Sequence, residues 1–191
     1  MSLFRSIATL KRDIKLFIER PREFLYSFTL SSQKLYSVVP FDPQVKAEAE
    51  QLLQQIRTSF PELSVHLVGS IAFEISGKND VDIIIDCEPE RFDRYVPYFT
   101  VLFGVPTSVK SWEVKWSTSF GLMQLDAMLI DPTHVVRKTL LETFKILINN
   151  PAYIREYAAL KLGAHGVSLR EYQRRRMVFF NRILKTQLDK E

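Results

Sequence analysis

The sequence is poor in the residues that mark several classes of protein. Cys87 is the one cysteine in 191 residues, which excludes an internal disulfide and favours a reducing compartment. No apolar run approaches the roughly 20 residues that a membrane-spanning helix needs, and no cleavable signal sequence follows the first residue. Neither sign of charge dominates, with 26 Lys and Arg against 22 Asp and Glu. We therefore expect a cytoplasmic protein whose mildly basic surface is compatible with nucleic acid but does not favour it as a partner.

Large apolar side chains, by contrast, are abundant. Hydrophobic residues make up 46% of the chain and include 14 Phe and 7 Tyr, so the chain has the apolar surface needed to offset the entropy of folding. We expect one globular domain with three parts: an N-terminal amphipathic helix and arm over residues 1–35, a core over 36–131 and a C-terminal helical region over 132–191.

The first 20 residues have apolar side chains at helical spacing, with basic side chains between them. The apolar positions are Leu3, Phe4, Ile7, Leu10, Ile14, Phe17 and Ile18. This pattern predicts an amphipathic helix. One interpretation is a helix packed on the core or on a neighbouring protein. The other is a membrane-surface or targeting segment, against which the acidic residues Asp13 and Glu19 count.

Capping residues predict four helix starts. Asp or Asn precedes Pro at Asp42-Pro43, Asp131-Pro132 and Asn150-Pro151. The side-chain oxygen of the first residue caps free backbone N–H groups, and proline suits the first helical position because its missing N–H would be unpaired there. Ser168, with Glu171 three residues later, predicts a capping box and a long helix that ends near Leu188.

Strand patterns lie between these helix starts. They cover residues 65–68, 81–85, 109–116 and 122–130. The second is almost wholly aliphatic, as expected of a strand covered on both faces, and the last two are predicted to form a hairpin. His66 in the first pattern is predicted to pack in the core rather than to bind metal. With a further helix over about 90–103, the order indicates an α/β (α+β) fold: a mixed sheet flanked by helices, with a C-terminal helical cap.

Gly69 and Ser70 stand where the first predicted strand gives way to a helix. Backbone N–H groups are free at such a turn, and glycine lets a phosphate approach the main chain closely. The chain has only 6 glycines, although turns also use glycine for structural reasons. The pair therefore indicates either a phosphate-binding turn or an ordinary one.

Three aspartates lie in strand patterns that are otherwise apolar. Asp80 and Asp82 are two residues apart and so point to the same face of a strand, where their like charges repel unless a cation neutralises them. Asp126 lies inside another apolar strand, where an ionised group is costly unless it is paired or bound to metal. Carboxylate oxygens suit Mg²⁺. The structural alternatives are a turn cap for Asp80, an ion pair for Asp82 and hydrogen bonds at a strand edge for Asp126.

In this order, Gly69-Ser70, Asp80-Val81-Asp82 and Leu125-Asp126 resemble the motif of the polymerase-β-like nucleotidyltransferase superfamily. The sequence also resembles the GrpB family, which has the same fold, over about residues 36–186. The matching segments are residues 39–43, 66–70, 81–83 and 151–161, followed by Tyr172, Arg176 and Phe179. The family usually has Gly-Ser-Thr followed by Pro-Gly, whereas this chain has Gly-Ser-Ile at residues 69–71 and Phe-Glu-Ile at residues 73–75. It also departs at 124–126, where the family often has a histidine.

The resemblance implies Mg²⁺-dependent transfer of a nucleotidyl group from a nucleoside triphosphate such as ATP to an unidentified hydroxyl acceptor. It implies that Asp80 and Asp82 hold two Mg²⁺ ions on the triphosphate, and that Asp126 binds one of them and activates the acceptor hydroxyl. The implied phosphate ligands are Gly69, Ser70 and Lys78. The competing interpretation, favoured by the departures at Ile71 and Glu74, is a catalytically inactive nucleotide-binding or protein-interaction module on the same fold.

Arginines are concentrated in the last predicted helix. They are Arg170, Arg174, Arg175, Arg176 and Arg182. A solvated helix face is one interpretation, and a surface that binds substrate phosphate or RNA is the other.

Overall fold

We describe the protein from a computed structural model, in which residues 12–13, 21–121 and 123–188 are described. Packing of the backbone divides the chain into two compact units. Val39–Asn149 form one unit, and Met1–Val38 together with Asn150–Glu191 form the other. The division into three parts at residues 35 and 131 remains a prediction.

The first unit contains a five-stranded sheet with the spatial order β1-β2-β5-β4-β3. Its strands are β1 (Ser64–Val68), β2 (Asp80–Asp86), β3 (Ser108–Lys110), β4 (Glu113–Phe120) and β5 (Met123–Ile130). β2 and β5 run parallel, and the other neighbouring pairs are antiparallel. The mixed sheet confirms the predicted fold class. The third strand pattern, however, contains two strands, because a turn at Ser111 and Trp112 separates β3 from β4.

Helices lie before, between and after the strands. They are α1 (Pro21–Thr29), α2 (Pro43–Ser59), α3 (Gly69–Ala72), α4 (Phe92–Phe103), α5 (Val135–Ile148), α6 (Pro151–Leu162) and α7 (Leu169–Leu188). A short 3-10 turn at Pro89–Arg91 leads into α4. Helices α2 to α5 belong to the first unit, and α1, α6 and α7 belong to the second.

Side-chain caps start three of these helices as predicted. Asp42 Oδ1 accepts a hydrogen bond from the Gln44 N–H at 2.8 Å, and Asn150 and Ser168 cap α6 and α7 in the same way. The start predicted at Asp131-Pro132 is wrong, because α5 begins at Val135. Asp131 instead accepts hydrogen bonds from the backbone and hydroxyl of Thr133, which closes a turn ahead of the helix.

The two faces of β2 lie in different surroundings. One face packs into the main core against α2 and α4, and it presents Val81, Ile83 and Ile85. The other face presents Asp80, Asp82, Ile84 and Asp86. On this second face Ile84 packs against Ile130 and against Leu141 of α5. The apolar face holds the strand in place, so the second face is free to carry carboxylates at both ends of β2.

The second unit is held together by aromatic packing between its helices and the segment before α2. The rings of Tyr36 and Tyr172 stack with centroids 3.7 Å apart. Of the amphipathic helix predicted over residues 1–20, only Arg12 and Asp13 are described, and both are helical. The rest of that prediction lies outside the described residues. No helix in the described part of the chain combines the length and the apolar character needed to span a membrane.

Candidate functional site

Gly69 forms the turn between β1 and α3, as the sequence predicts. Its φ of 77° lies in the left-handed region that side chains rarely adopt. A Cβ atom added to Gly69 would stand 2.2 Å from Asp82 Oδ2. Glycine therefore suits this position because of the backbone angle, and because a side chain here would have to displace the Asp82 carboxylate.

The strand register brings the predicted aspartates together on one face of the sheet. Asp82 of β2 is the Cα partner of Val68 on β1 and of Asp126 on β5. Because neighbouring strands are about 4.8 Å apart and paired residues point to the same side, Asp82 and Asp126 are neighbours. Asp80 lies two residues before Asp82 and points to the same face. Carboxylates from two strands thus share one end of the sheet, next to Gly69.

Asp126 and Asp80 have polar side chains as hydrogen-bond partners. The Ser117 hydroxyl on β4 donates to Asp126 Oδ1, and Lys78 Nζ donates to Asp80 Oδ2 at 3.0 Å. The first contact follows from the register, since Ser117 is the Cα partner of Asp126. Sequence analysis did not identify Ser117, because a serine in a strand carries no signal until its partner strand is known.

Lys78 lies within electrostatic range of all three aspartates. Burial by itself would lower the pKa of Lys78, but the charge and hydrogen bond of Asp80 and the charges of Asp82 and Asp126 raise it above its usual value. The ammonium therefore stays protonated and stands among the three carboxylates as a cation. The Lys78 side chain is half exposed, so it has room to leave Asp80.

The donor set of this site suits a divalent cation in chemistry and charge. Three carboxylates against one ammonium leave an excess of negative charge, and carboxylate oxygens are the ligands that Mg²⁺ takes in proteins. Within residues 12–13, 21–121 and 123–188, however, no three acidic, histidine or cysteine side chains already converge closely enough to hold a metal ion. The three aspartates thus have the right side chains for a metal and lie on the same face of the sheet. In this structure, however, Asp80 accepts a hydrogen bond from Lys78 and Asp126 accepts one from Ser117.

The loop after Gly69 differs from the predicted phosphate-binding turn in one respect. Ser70 is only 3% exposed, so its side chain is largely covered. Glu74, in the segment that departs from the family pattern, has a left-handed φ of 56° and pairs with Lys46 at 2.6 Å. Gly69 and Lys78 therefore lie next to the carboxylates and are accessible to solvent, whereas the third predicted phosphate ligand, Ser70, is largely covered.

A second polar cluster occupies the opposite end of the same β2 face. Arg137 of α5 binds both carboxylate oxygens of Asp86, and His66 Nε2 lies 3.2 Å from Asp86 Oδ2. Burial alone would raise the pKa of Asp86, but the hydrogen bonds and charges of His66 and Arg137 lower it below its usual value. His66 is 36% exposed, so it is not the packed core histidine that the sequence predicted. The alternating pattern Asp80, Asp82, Asp86 was the available signal for this cluster.

The sheet order and its carboxylate face define an α/β protein with a mixed sheet whose polar end carries the candidate site. No family model matches the sequence, and no curated protein matches it. Among solved structures, it resembles one described as conserved protein GrpB from Enterococcus faecalis, with a TM-score of 0.62 and 18% identity. The match covers 80% of this chain and 98% of that one. The GrpB-like α/β fold with a mixed sheet that the sequence predicts is thereby confirmed.

Replacing Gly69 with alanine tests the close approach of the main chain to Asp82. Gly104 is the matched control, because it also has a left-handed φ, of 87°, but a Cβ there meets nothing within 4 Å. Both variants bear the cost of the backbone angle, about 1–2 kcal/mol. We expect Gly69→Ala to lower the free energy of unfolding in urea by about 1 kcal/mol or more beyond Gly104→Ala, because Asp82 must also move. Equal losses would show that the turn does not press on the carboxylate.

Replacing Asp86 with asparagine tests the second cluster through its pH dependence. A lowered folded-state pKa means that the charged carboxylate contributes stability above its ordinary pKa of 3.8, and that this contribution is lost as the pH falls through the folded value. We expect Asp86→Asn to unfold about 2 kcal/mol more easily than wild type at about pH 7, with the gap closing below about pH 4. Urea titrations across this range measure the gap. The exposed Glu142→Gln on α5 should show none, and a pH-independent gap for Asp86→Asn would contradict the ion-pair account.

Proposed function

We propose that the protein is a Mg²⁺-dependent nucleotidyltransferase that transfers a nucleotidyl group from a nucleoside triphosphate to a hydroxyl acceptor. The observation that carries the proposal is the register of β2 with β5, in which Asp82 faces Asp126 beside Gly69. Asp80 adds a third carboxylate on that face. Carboxylates grouped at the end of a sheet, next to a glycine turn, suit metal-assisted phosphate chemistry.

Asp80, Asp82 and Asp126 are the side chains that would hold the metal. When bound, Mg²⁺ neutralises charge on the triphosphate and on the attacking and leaving oxygens. Asp126 has a further role, since the Ser117 hydroxyl donates to its Oδ1 and restricts its rotation. Asp126 Oδ2 is then the atom that would accept the proton of the acceptor hydroxyl.

Gly69 and Lys78 are the groups proposed to receive the phosphates. Gly69 has no side chain of its own, so phosphate oxygens would approach its backbone closely once the Asp82 carboxylate beside it turns to a bound metal. Lys78 would exchange its carboxylate partner Asp80 for a phosphate once metal neutralises the aspartates. Its half-exposed side chain supports this exchange, because little packing holds it in place.

The alternative is a nucleotide-binding or protein-interaction module without catalysis on the same fold. The ion pair of Lys78 with Asp80 favours this alternative, because it neutralises part of the site without a metal. The burial of Ser70 favours it too, since one of the predicted phosphate ligands is largely covered. The two candidates differ in whether Mg²⁺ is needed for the triphosphate to bind.

A thermal-shift measurement with Mg²⁺ and ATP, GTP, CTP or UTP tests the proposal. A triphosphate that binds only the native protein adds about 2.7 kcal/mol to its stability at a hundredfold excess over the dissociation constant. We expect at least one of the four to raise the melting temperature with Mg²⁺ and not with EDTA. Asp82→Asn should abolish this difference, because it removes one of the metal-binding charges.

The matched control is Asp93→Asn, which removes a carboxylate from an exposed position on α4 and should keep the full response. Transfer itself is then followed with triphosphates labelled on the α-phosphate, in the presence of candidate hydroxyl acceptors. Metal-independent binding without transfer would support the inactive module instead. No response to any triphosphate would rule out the transferase and the nucleotide-binding module, and would leave only the protein-interaction module.

Replacing Lys78 with methionine separates the two roles given to its ammonium. The variant removes the cation that competes for the aspartates, so we expect Mg²⁺ alone to bind more tightly, by roughly tenfold. It also removes a phosphate ligand, so the triphosphate should bind more weakly when Mg²⁺ is saturating. Calorimetric titrations of each ligand measure the two effects, with the exposed Lys145→Met as control. Unchanged Mg²⁺ affinity would contradict a shared site for the ammonium and the metal.

A further inference from the structure

Lys161 is a buried cation in the helical unit whose partners do not neutralise it. The residue is only 5% exposed, and its ammonium lies 5.1 Å from the ring centroid of Tyr157. No ion pair joins it to any carboxylate of the described residues. A ring face attracts an ammonium but supplies no full negative charge. Lys161 Nζ is not among the fully buried polar atoms that lack a hydrogen-bond partner, so the ammonium reaches solvent while most of its side chain is covered.

The acidic side chains with described ion pairs in this unit are engaged by other cations. Glu156 pairs with Arg182, and Glu171 with Arg175 and Arg12. Lys161 is therefore left without a counter-ion although carboxylates are present on its own helix and on the next one. The Lys161 ammonium is therefore available to a negatively charged ligand.

Helices α6 and α7 each contribute one tyrosine and one cationic side chain to the surroundings of Tyr157. On α6, Tyr157 precedes Lys161 by four residues, and on α7, Tyr172 precedes Arg176 by four, so each pair lies on one face of its helix. The two tyrosine hydroxyls are 3.5 Å apart. Arg176 is half-buried and lies close enough to both tyrosines for its charge to act on their hydroxyls. Lys161 and Arg176 are therefore two cations whose charges both act on the Tyr157 hydroxyl.

The tyrosines are suited to donate hydrogen bonds at neutral pH. Burial raises the pKa of Tyr157 to about 12, despite the opposing charges of Arg176 and Lys161, and burial also raises the pKa of Tyr172. Both hydroxyls therefore keep their protons. Tyr172 interacts with Tyr36 as well as with Tyr157, so the hydroxyl hydrogens are shared within this group of tyrosines, and a phosphate would compete for one of them.

We propose that Tyr157, Lys161, Tyr172 and Arg176 form a phosphate-binding site in the helical unit. Two cations and a hydroxyl donor match the charge and the acceptor oxygens of a phosphate group. Arg176 is the more exposed of the two cations, so the phosphate enters from its side. The site needs no metal and does not depend on the nucleotidyltransferase proposal, because none of its residues belongs to the carboxylate site.

The experiment is a thermal-unfolding titration of the full chain in EDTA, with phosphate compared with chloride at matched ionic strength. We expect phosphate to raise the melting temperature of wild type in a saturable way. Pyrophosphate and metal-free ATP, titrated in parallel, distinguish free phosphate from the phosphate of a nucleotide by which binds most tightly. Asp82→Asn should keep the whole response, so a failed transferase assay and a failed phosphate site are separable.

Lys161→Met is the decisive variant, because methionine keeps much of the side-chain length and removes the charge. We expect it to weaken phosphate binding by roughly tenfold or more, while its melting temperature without phosphate stays equal or rises, since a buried charge is replaced by an apolar group. Lys161→Arg should retain binding. The control Arg155→Gln removes one positive charge from an exposed position on the same helix and should bind as wild type does.

Several results would overturn the site. They are a stabilisation equal in phosphate and chloride, an unchanged phosphate response in Lys161→Met, or an equal loss in Arg155→Gln. If Lys161→Met does not fold, Tyr157→Phe replaces it as the test. That variant removes one hydroxyl oxygen and should weaken phosphate binding several-fold, whereas wild-type affinity in it would overturn the proposal.

Discussion

The parallel pairing of β2 with β5 is the constraint on which the candidate site depends. Neighbouring strands in parallel register point paired side chains to the same face, so Asp82 and Asp126 become neighbours although 44 positions separate them in the numbering. A shift of one residue in either strand would send one of the carboxylates into the core formed with α2 and α4. The register is thus fixed by hydrophobic burial, and the carboxylates lie where that burial leaves them.

Burial of the apolar face of β2 stabilises the fold enough to offset the cost of placing carboxylates on its polar face. Val81, Ile83 and Ile85 are almost fully buried on one side of β2, and burying such side chains stabilises the fold by about 1.5–3 kcal/mol each. Against that gain, like charges on the other face are tolerated because Lys78 and Ser117 each satisfy one aspartate. At the far end, Arg137 and His66 do the same for Asp86. The strand therefore carries charge at both ends and apolar packing between them.

The two units treat their buried charges differently. In the sheet unit, Asp80 and Asp86 have cationic partners. In the helical unit, the Lys161 ammonium lies near the ring of Tyr157, and no carboxylate of the described residues forms an ion pair with it. Removing one partner of a buried ion pair would leave the other charge uncompensated, which costs stability. The proposed phosphate site depends on this difference between the two units.

Local features of this protein follow from the sequence alone. The alternation of β2, the caps at Asp42, Asn150 and Ser168, and the glycine turn before α3 each depend on neighbours a few residues away. Such short-range interactions are the same in any fold that contains the segment, which is why they were predictable. The start of α5 was mispredicted because Asp131 has two local choices, a helix cap or a turn with Thr133, and the turn won.

What only the tertiary structure decided is which distant residues meet. The pairing of Asp82 with Asp126, of Arg137 with Asp86 and of Tyr157 with Tyr172 depends on strand order and on helix packing. Composition and periodicity say which face a side chain takes, but not which partner stands opposite. The sequence determined that carboxylates would line one face of a strand, and the fold determined that an ammonium would stand among them, since electrostatic partners are chosen by distance in space rather than along the chain.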